Sequence, residues 1–488
     1  MEKLPLKLNT PENLGISSQA ILNFINHIEE QKLCIHSFMF IRHGEIAAEG
    51  YYPPFTPDRL HRMYSTSKTF VAMAVGLLID EGKISLDDKA AGFFPEHCPA
   101  DMHEYLANST IRDLLKMEAP HTYTTYSDKD ANWTWTFLNR KPSHPPGMIF
   151  NYDTSATVML NAIVEKVSGM ELMDYMRPRL FDHIGISETA RAIQRPEGGA
   201  WGGSGVLCST HDLAKFALMM LNKGKAYGKQ LISEWYVKEA TSALIDNRGT
   251  TDKPELQFGY GYQIWRTRNN GFATVGMGSQ LSVCVPDKDF VFIITADTQS
   301  VPGANNTILE LLWNDVYPSI SDTTLTENKP AFDSLSAKLN NLKFLPVDGN
   351  TISAVNHNCK YNLSDNPMNI SEIEFVIDDK SGKMLYKNKT GDHVIEFGFG
   401  GYVYGEFPET HYYGDVIGTP KGTGYEYKAS AAWFDDNNLT IYLYAIGDYL
   451  GTLKITVSFK NNGMTILMRD FAEWFFYDYN GYASGYPV

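Results

Sequence analysis

The most constraining feature of this chain is a lysine set at the mouth of its most apolar helix. Thr69 to Asp80 (TFVAMAVGLLID) is apolar almost all round, the pattern of a helix sunk in a core rather than laid on a surface. Gly82 follows as a C-terminal cap. Directly before the helix runs Arg62-Met63-Tyr64-Ser65-Thr66-Ser67-Lys68. Positions i and i+3 share a helix face, so the Ser65 hydroxyl and the Lys68 amine can meet. A buried lysine is costly without a partner or a task. Burial and the positive helix N-terminus both lower its pKa, so it can act as a base near neutrality and take the Ser65 proton. An S-x-x-K pair alone carries little information, but Ser65 is the only serine in the chain followed by a lysine at that spacing. The plain alternative is a serine N-cap with a solvated lysine.

The rest of the chain divides into three regions. Up to about residue 320 helical and strand patterns are mixed. Ile35–Ile41, the turn His43-Gly44 and Glu45–Tyr51 read as a hairpin. Asp212–Asn222 reads as an amphipathic helix closed by Gly224, and Leu281–Val285 and Phe290–Thr295 as strands around a turn. This order predicts a sheet covered by helices. Ser319–Lys329 is polar and reads as a linker, with one helix over Pro330–Leu342. Beyond about 350, short alternating runs such as Ile373–Ile377, Lys383–Lys387, Val394–Phe397, Leu439–Tyr444, Leu453–Phe459 and Thr465–Met468 are punctuated by turns at Asp379–Gly382 and Asn461–Gly463. Some eight strands are expected there, forming a small antiparallel barrel.

Net charge excludes some partners. With 42 basic and 57 acidic residues the chain carries −15, which repels phosphate backbones and anionic lipid heads, so neither nucleic acid nor a membrane surface is expected as a partner. The five cysteines are widely spaced with no CxxC pair, and the 13 histidines show no ligand spacing, so no disulfide framework, metal or other cofactor is expected. The segment Met1–Leu8 lacks the apolar run of a signal peptide, and no run of about 18 apolar residues occurs. A cytoplasmic protein is the expectation.

The stretch Leu60–Asp88 resembles the first motif of the serine β-lactamase and penicillin-binding-protein superfamily, in the branch of class C β-lactamases, family VIII esterases and aminohexanoate-oligomer hydrolases. The resemblance spans roughly residues 10–315 and includes Thr110–Leu115, Pro146–Tyr152, Gly202–Leu207 with Ser209, and Gly259–Gln263. It implies an α/β (α+β) catalytic domain over 1–320, with an antiparallel sheet flanked by helices. A linker with a short helix follows at 321–349, and the region 350–488 is similar to lipocalin-like barrels fused to such hydrolases.

The family's second motif, Tyr- or Ser-x-Asn, has two candidates. Tyr152-Asp153-Thr154 follows Pro145-Pro146-Gly147 and precedes the apolar helix Ala156–Val167; Ser127-Asp128-Lys129 mimics the Ser form. The flanks favour Tyr152, which can shuttle a proton between nucleophile and leaving group. Thr154 stands where the family has Asn. The third motif matches Val275–Gln280. Met277 stands where the family carries a cation, while Gly278 and Ser279 supply the small residues that let substrate approach the strand. A backbone N–H here and that of Ser65 would form an oxyanion hole.

His61 and His144 lie near the motifs and read as structural or rim residues. Trp133, Trp135 and Phe137, alternating with threonines, fit either an acyl pocket or a core strand. Arg266 and Arg268 are candidates to replace the missing cation, although they look like a solvated strand end. The expected function is hydrolysis of an ester or amide bond in a small, uncharged substrate through an acyl-enzyme on Ser65. The alternatives are a β-lactamase or D-Ala-D-Ala peptidase, and a catalytically silent binding or regulatory protein.

Overall fold

The computed structural model describes residues 6–251, 253–409, 425–474 and 476–488; Met1–Pro5 of the N-terminal segment read above lie outside them. The described chain divides into two compact units, one up to Leu342 and the other from Lys343 to Val488.

In the first unit six strands form one antiparallel sheet: β1 (Ile35–Arg42), β2 (Glu45–Tyr51), β3 (Trp265–Arg266), β4 (Phe272–Gly276), β5 (Gln280–Val285) and β6 (Phe290–Ala296), in the order β2-β1-β6-β5-β4-β3. Every residue of β1, β5 and β6 is buried, polar ones such as His36, Ser37, Arg42, Gln280 and Ser282 included, so both faces of these strands are covered. Helices cover both faces. On one, Phe24 of α1 (Ser18–Glu30) packs edge-on against Phe40 and Phe292, at 5.5 and 5.3 Å between ring centroids. On the other, Met39, Ile41, Val291 and Ile293 join the core of α2 (Ser67–Asp80), α3 (Thr154–Ser168) and α4 (Thr210–Leu221). Helix α2 is central. Twelve of its residues are buried, and Phe70 stacks on Phe216 of α4 at 4.0 Å. Each large apolar side chain sealed there contributes on the order of 2 kcal/mol.

Helix α4 begins two residues earlier than its apolar pattern predicts, because Ser209 and Asp212 close a capping box. Trp133, Trp135 and Phe137 are not on a strand. They lie on the short helix Trp133–Asn139, capped by Asn132, so the i and i+4 residues Trp133 and Phe137 are buried and Trp135 is exposed. The linker helix, α5 (Lys329–Asn340), packs on α1, with Lys338 paired to Glu29 at 2.5 Å. The first unit therefore extends to Leu342, not to about 320.

Among its described residues the second unit holds ten strands, against some eight expected: β7 (Lys360–Leu363), β8 (Glu372–Ile377), β9 (Ser381–Asn388), β10 (Gly391–Phe399), β11 (Val403–Phe407), β12 (Tyr425–Asp435), β13 (Asn438–Ile446), β14 (Leu450–Lys460), β15 (Gly463–Ala472) and β16 (Gly481–Pro487). Neighbouring pairs are antiparallel, in the order β10-β9-β8-β7-β16-β15-β14-β13-β12-β11. One parallel contact, Gly398–Phe399 against Ser430–Ala431, closes a ring of nine, with β11 added on the edge of β12. Inward residues such as Phe375, Phe397, Ile441, Ile455 and Ile466 are fully buried. The Asn461-Asn462 turn has both residues left-handed, as a two-residue hairpin requires.

Candidate active site

Ser65 sits in a single 3-10 turn, Tyr64–Thr66, that leads directly into α2. From His61 to Leu78 every residue is buried except Ser65, which is partly exposed. The turn is sharp: Tyr64 has φ of 46°, a left-handed conformation that a bulky aromatic adopts only when its surroundings hold it. Those surroundings are the third motif. Thr66 Oγ1 donates to the Gln280 carbonyl at 2.9 Å. A side chain at Gly276 would strike the Met63 carbonyl, at 2.3 Å from its Cβ. Only a glycine lets the end of β4 lie this close to the residues preceding Ser65.

Lys68 is buried, with Nζ donating to Ser65 Oγ at 2.9 Å and to the Gly203 carbonyl at 2.7 Å. The Gly202–Leu207 motif therefore supplies a ligand for the ammonium. Tyr152 closes the group from the other side. Its ring centroid lies 5.1 Å from Lys68 Nζ, and its hydroxyl lies near Ser65. Burial pushes the Tyr152 pKa up, against an opposing influence of Ser65. Next to it Asp153 is fully buried and caps α3. Oδ1 accepts from Ser155 N at 2.8 Å and Ser155 Oγ at 2.5 Å, while Oδ2 has no hydrogen-bond partner among the described residues. Burial raises its pKa to about 6, although the hydrogen bonds from Ser155 and the charge of Lys68 oppose the rise. Thr154 donates its N–H to Thr124 Oγ1 at 3.3 Å, and its methyl meets the position where Gly203 lacks a side chain.

The structure thus brings Ser65, Lys68 and Tyr152 together, with the Met277 turn at the end of β4. Met277 is 43 % exposed. Gly278 and Ser279 both have left-handed backbones, at φ of 70° and 69°. Ser279 is fully buried, its hydroxyl shared between Thr298 Oγ1 at 2.7 Å and Asn305 Oδ1 at 2.6 Å, so it braces the turn. Gln280 adds a second brace, donating to the carbonyls of Met277 and Ala296 at 2.9 and 2.6 Å.

The other candidates are committed elsewhere. Ser127 Oγ bonds Asp130 at 2.9 Å. Arg266 donates to the Thr241 carbonyl at 2.8 Å and Asn270 at 2.7 Å, and Arg268 pairs with Glu255. His144 bonds the hydroxyl of its neighbour Ser143 at 2.8 Å. His61 is buried against His36, 2.7 Å between ring nitrogens, and burial lowers its pKa to about 4.

Two residues given no role above are structural parts of the site. Trp265 stacks under Tyr152 at 5.4 Å. Gln263 links three motifs: it donates to the Leu114 and Leu115 carbonyls, at 2.9 and 3.1 Å, and accepts from Thr157 at 2.7 Å. Its own carbonyl accepts from Thr69 at 3.0 Å. Its burial was legible only as part of the Gly259–Gln263 motif.

The sequence profile of the Beta-lactamase family matches residues 32–312, more than half of the chain. The chain belongs to the Beta-lactamase family. A 6-aminohexanoate-dimer hydrolase of Paenarthrobacter ureafaciens is 26% identical over 301 residues, 55% of this chain and 74% of that protein. Two solved structures share the fold. The octameric penicillin-binding protein homologue of Pyrococcus abyssi superposes at a TM-score of 0.50 and 15% identity, over 96% of this chain and 99% of that one. EstCE1, a hydrolase with promiscuous acyltransferase activity, does so at a TM-score of 0.50 and 14% identity, over 61% of this chain and 99% of that one. Among the described residues no helix is long and apolar enough to cross a membrane.

Proposed function

We propose that this member of the Beta-lactamase family is a serine hydrolase that cleaves an ester or amide bond of a small, uncharged substrate through an acyl-enzyme on Ser65. The observation that carries the reading is the 2.9 Å contact of buried Lys68 with the one accessible residue of the nucleophile segment. The amide-hydrolysing relative from Paenarthrobacter ureafaciens supports the reaction class.

In the proposed reaction Lys68, as the neutral amine, takes the Ser65 proton while Oγ attacks the substrate carbonyl carbon. The N–H groups of Ser65 and Met277 receive the developing oxyanion. The tetrahedral intermediate collapses, the bond to the leaving oxygen or nitrogen breaks, and Tyr152 relays the proton to it. Water, deprotonated by the same pair, then attacks the ester carbon and releases the acid from Ser65.

Preference for uncharged substrates rests on Met277. A carboxylate beside it would lose water without gaining a partner. The engagement of Arg266 and Arg268 with Thr241, Asn270 and Glu255 supports this reading, since neither arginine then stands in for the cation. Intact-mass analysis after treatment with a fluorophosphonate tests the nucleophile: one adduct on Ser65 is expected, and its absence would refute the reading.

A further inference from the structure

We propose that Arg62 is a positioning residue for Lys68, acting through the loop that carries Gly203 and Ser204. The inference rests on the reading of Ser65 as nucleophile and Lys68 as its base. Arg62 is fully buried. Its Nε donates to the Ser204 carbonyl at 3.0 Å and its Nη2 to Ser204 Oγ at 3.2 Å. The guanidinium carbon lies 4.3 Å from the ring centroid of Tyr64 and 4.8 Å from that of Trp201. A planar, permanently charged fork over two aromatic faces is a place for arginine, not for lysine.

The residues that Arg62 touches bracket the catalytic group. Tyr64 is the left-handed residue directly before Ser65. Trp201 and Ser204 flank Gly202-Gly203, and the Gly203 carbonyl accepts from Lys68. Two cationic side chains thus grip consecutive carbonyls of one loop: Lys68 holds that of Gly203, and Arg62 holds that of Ser204. Glycines 202, 203 and 205 leave this backbone little conformational preference of its own. Its path is held by its own turn, in which the N–H groups of Ser204 and Gly205 donate to the Trp201 carbonyl at 3.1 and 2.7 Å, by Arg62, and by close contacts such as that of Thr154 Cγ2, 2.5 Å from where a Cβ of Gly203 would lie. Fixing the Gly203 carbonyl fixes the direction of Lys68 Nζ. It also favours the charged amine, as any acceptor held on an ammonium does. Among the groups that face Nζ are Ser65 Oγ, the Gly203 carbonyl, the Tyr152 ring and the Asp153 carboxyl, whose ionisation responds to the Lys68 charge.

Arg62→Lys in the full chain keeps the charge and loses the fork. With p-nitrophenyl butyrate, kcat is expected to fall roughly tenfold or more, because small misplacements of a catalytic group cost at least this much. KM should stay within about threefold, as expected when ground-state binding is spared. The acidic limb of the kcat/KM profile should move to lower pH, because the Lys68 ammonium loses part of its acceptor. Fluorophosphonate labelling of Ser65 should slow in parallel. Ser204→Ala removes only the hydroxyl acceptor and should move the limb less, in the same direction; it serves if Arg62→Lys fails to fold. An unmoved limb in a folded Arg62→Lys protein, whatever its kcat, would overturn the proposal, as would an unmoved limb in Ser204→Ala if Arg62→Lys does not fold. A parent protein that is not labelled at Ser65 would instead overturn the nucleophile reading beneath it.

Discussion

Tyr152 stacks on Trp265, their ring centroids 5.4 Å apart and their planes inclined by 28°. The stack fixes the ring, with the hydroxyl near Ser65. Tyr152→Phe keeps the stack and removes only the proton-carrying oxygen. Its kcat with p-nitrophenyl butyrate should fall roughly 10²-fold or more, in line with general acid–base contributions. Ser127→Ala should change kcat little, since the Ser127 hydroxyl is bound to Asp130. The opposite ranking in steady-state assays would move the second motif to the Ser127 loop.

Ser65→Ala should abolish ester turnover and leave thermal stability almost unchanged. The side chain is partly exposed, and its loss leaves no large cavity. Lys68 still keeps the Gly203 carbonyl as an acceptor. Parent-like hydrolysis by this variant would remove the basis of the proposed reaction.

Substrate charge should be read at position 277. A charge-assisted contact contributes about 1.5–3 kcal/mol, a factor of roughly ten to a hundred in transition-state binding. The parent should therefore hydrolyse p-nitrophenyl butyrate with a far higher kcat/KM than nitrocefin or benzylpenicillin. Met277→Lys should raise the lactam-to-ester ratio by roughly tenfold. Efficient penicillin hydrolysis by the parent would identify a lactam-cleaving enzyme instead.

Asp153 should make stability depend on pH with a recognisable sign. Burial raises its pKa from an ordinary 3.8 to about 6. Between these values the folded protein holds a proton that the unfolded chain releases, so stability falls as pH rises through this window and stays reduced above it. Asparagine has no such titration and caps a helix equally well. Asp153→Asn should have a higher Tm than the parent at pH 7.5, and the difference should shrink as pH falls from about 6 towards 4. A difference that scanning calorimetry finds constant across that range would contradict the burial of an ionised carboxylate.

Apolar patterning determined the central helix, the hairpin Ile35–Tyr51 and the alternating strands of the barrel, because local periodicity and turn chemistry are written residue by residue. Ser65 and Lys68 were legible for the same reason, lying one turn apart on one helix. The strand Tyr425–Asp435 was not, because it is buried on both faces along most of its length and shows little alternation. Gly481–Pro487 hides behind its glycines; Gly485 is needed where a side chain would meet the Asn362 carbonyl, at 2.2 Å from its Cβ. Trp133–Asn139 alternates like a strand, yet the Asn132 cap and its packing make it a helix. The assembly of the site was decided by the tertiary structure alone. That Gly203 would receive Lys68 and that Arg62 would hold the next carbonyl follows from contacts between residues more than a hundred positions apart. The turning away of Arg266 and Arg268 is more local: their partners Thr241, Asn270 and Glu255 lie within about 25 positions, and the pattern of a solvated strand end already pointed that way.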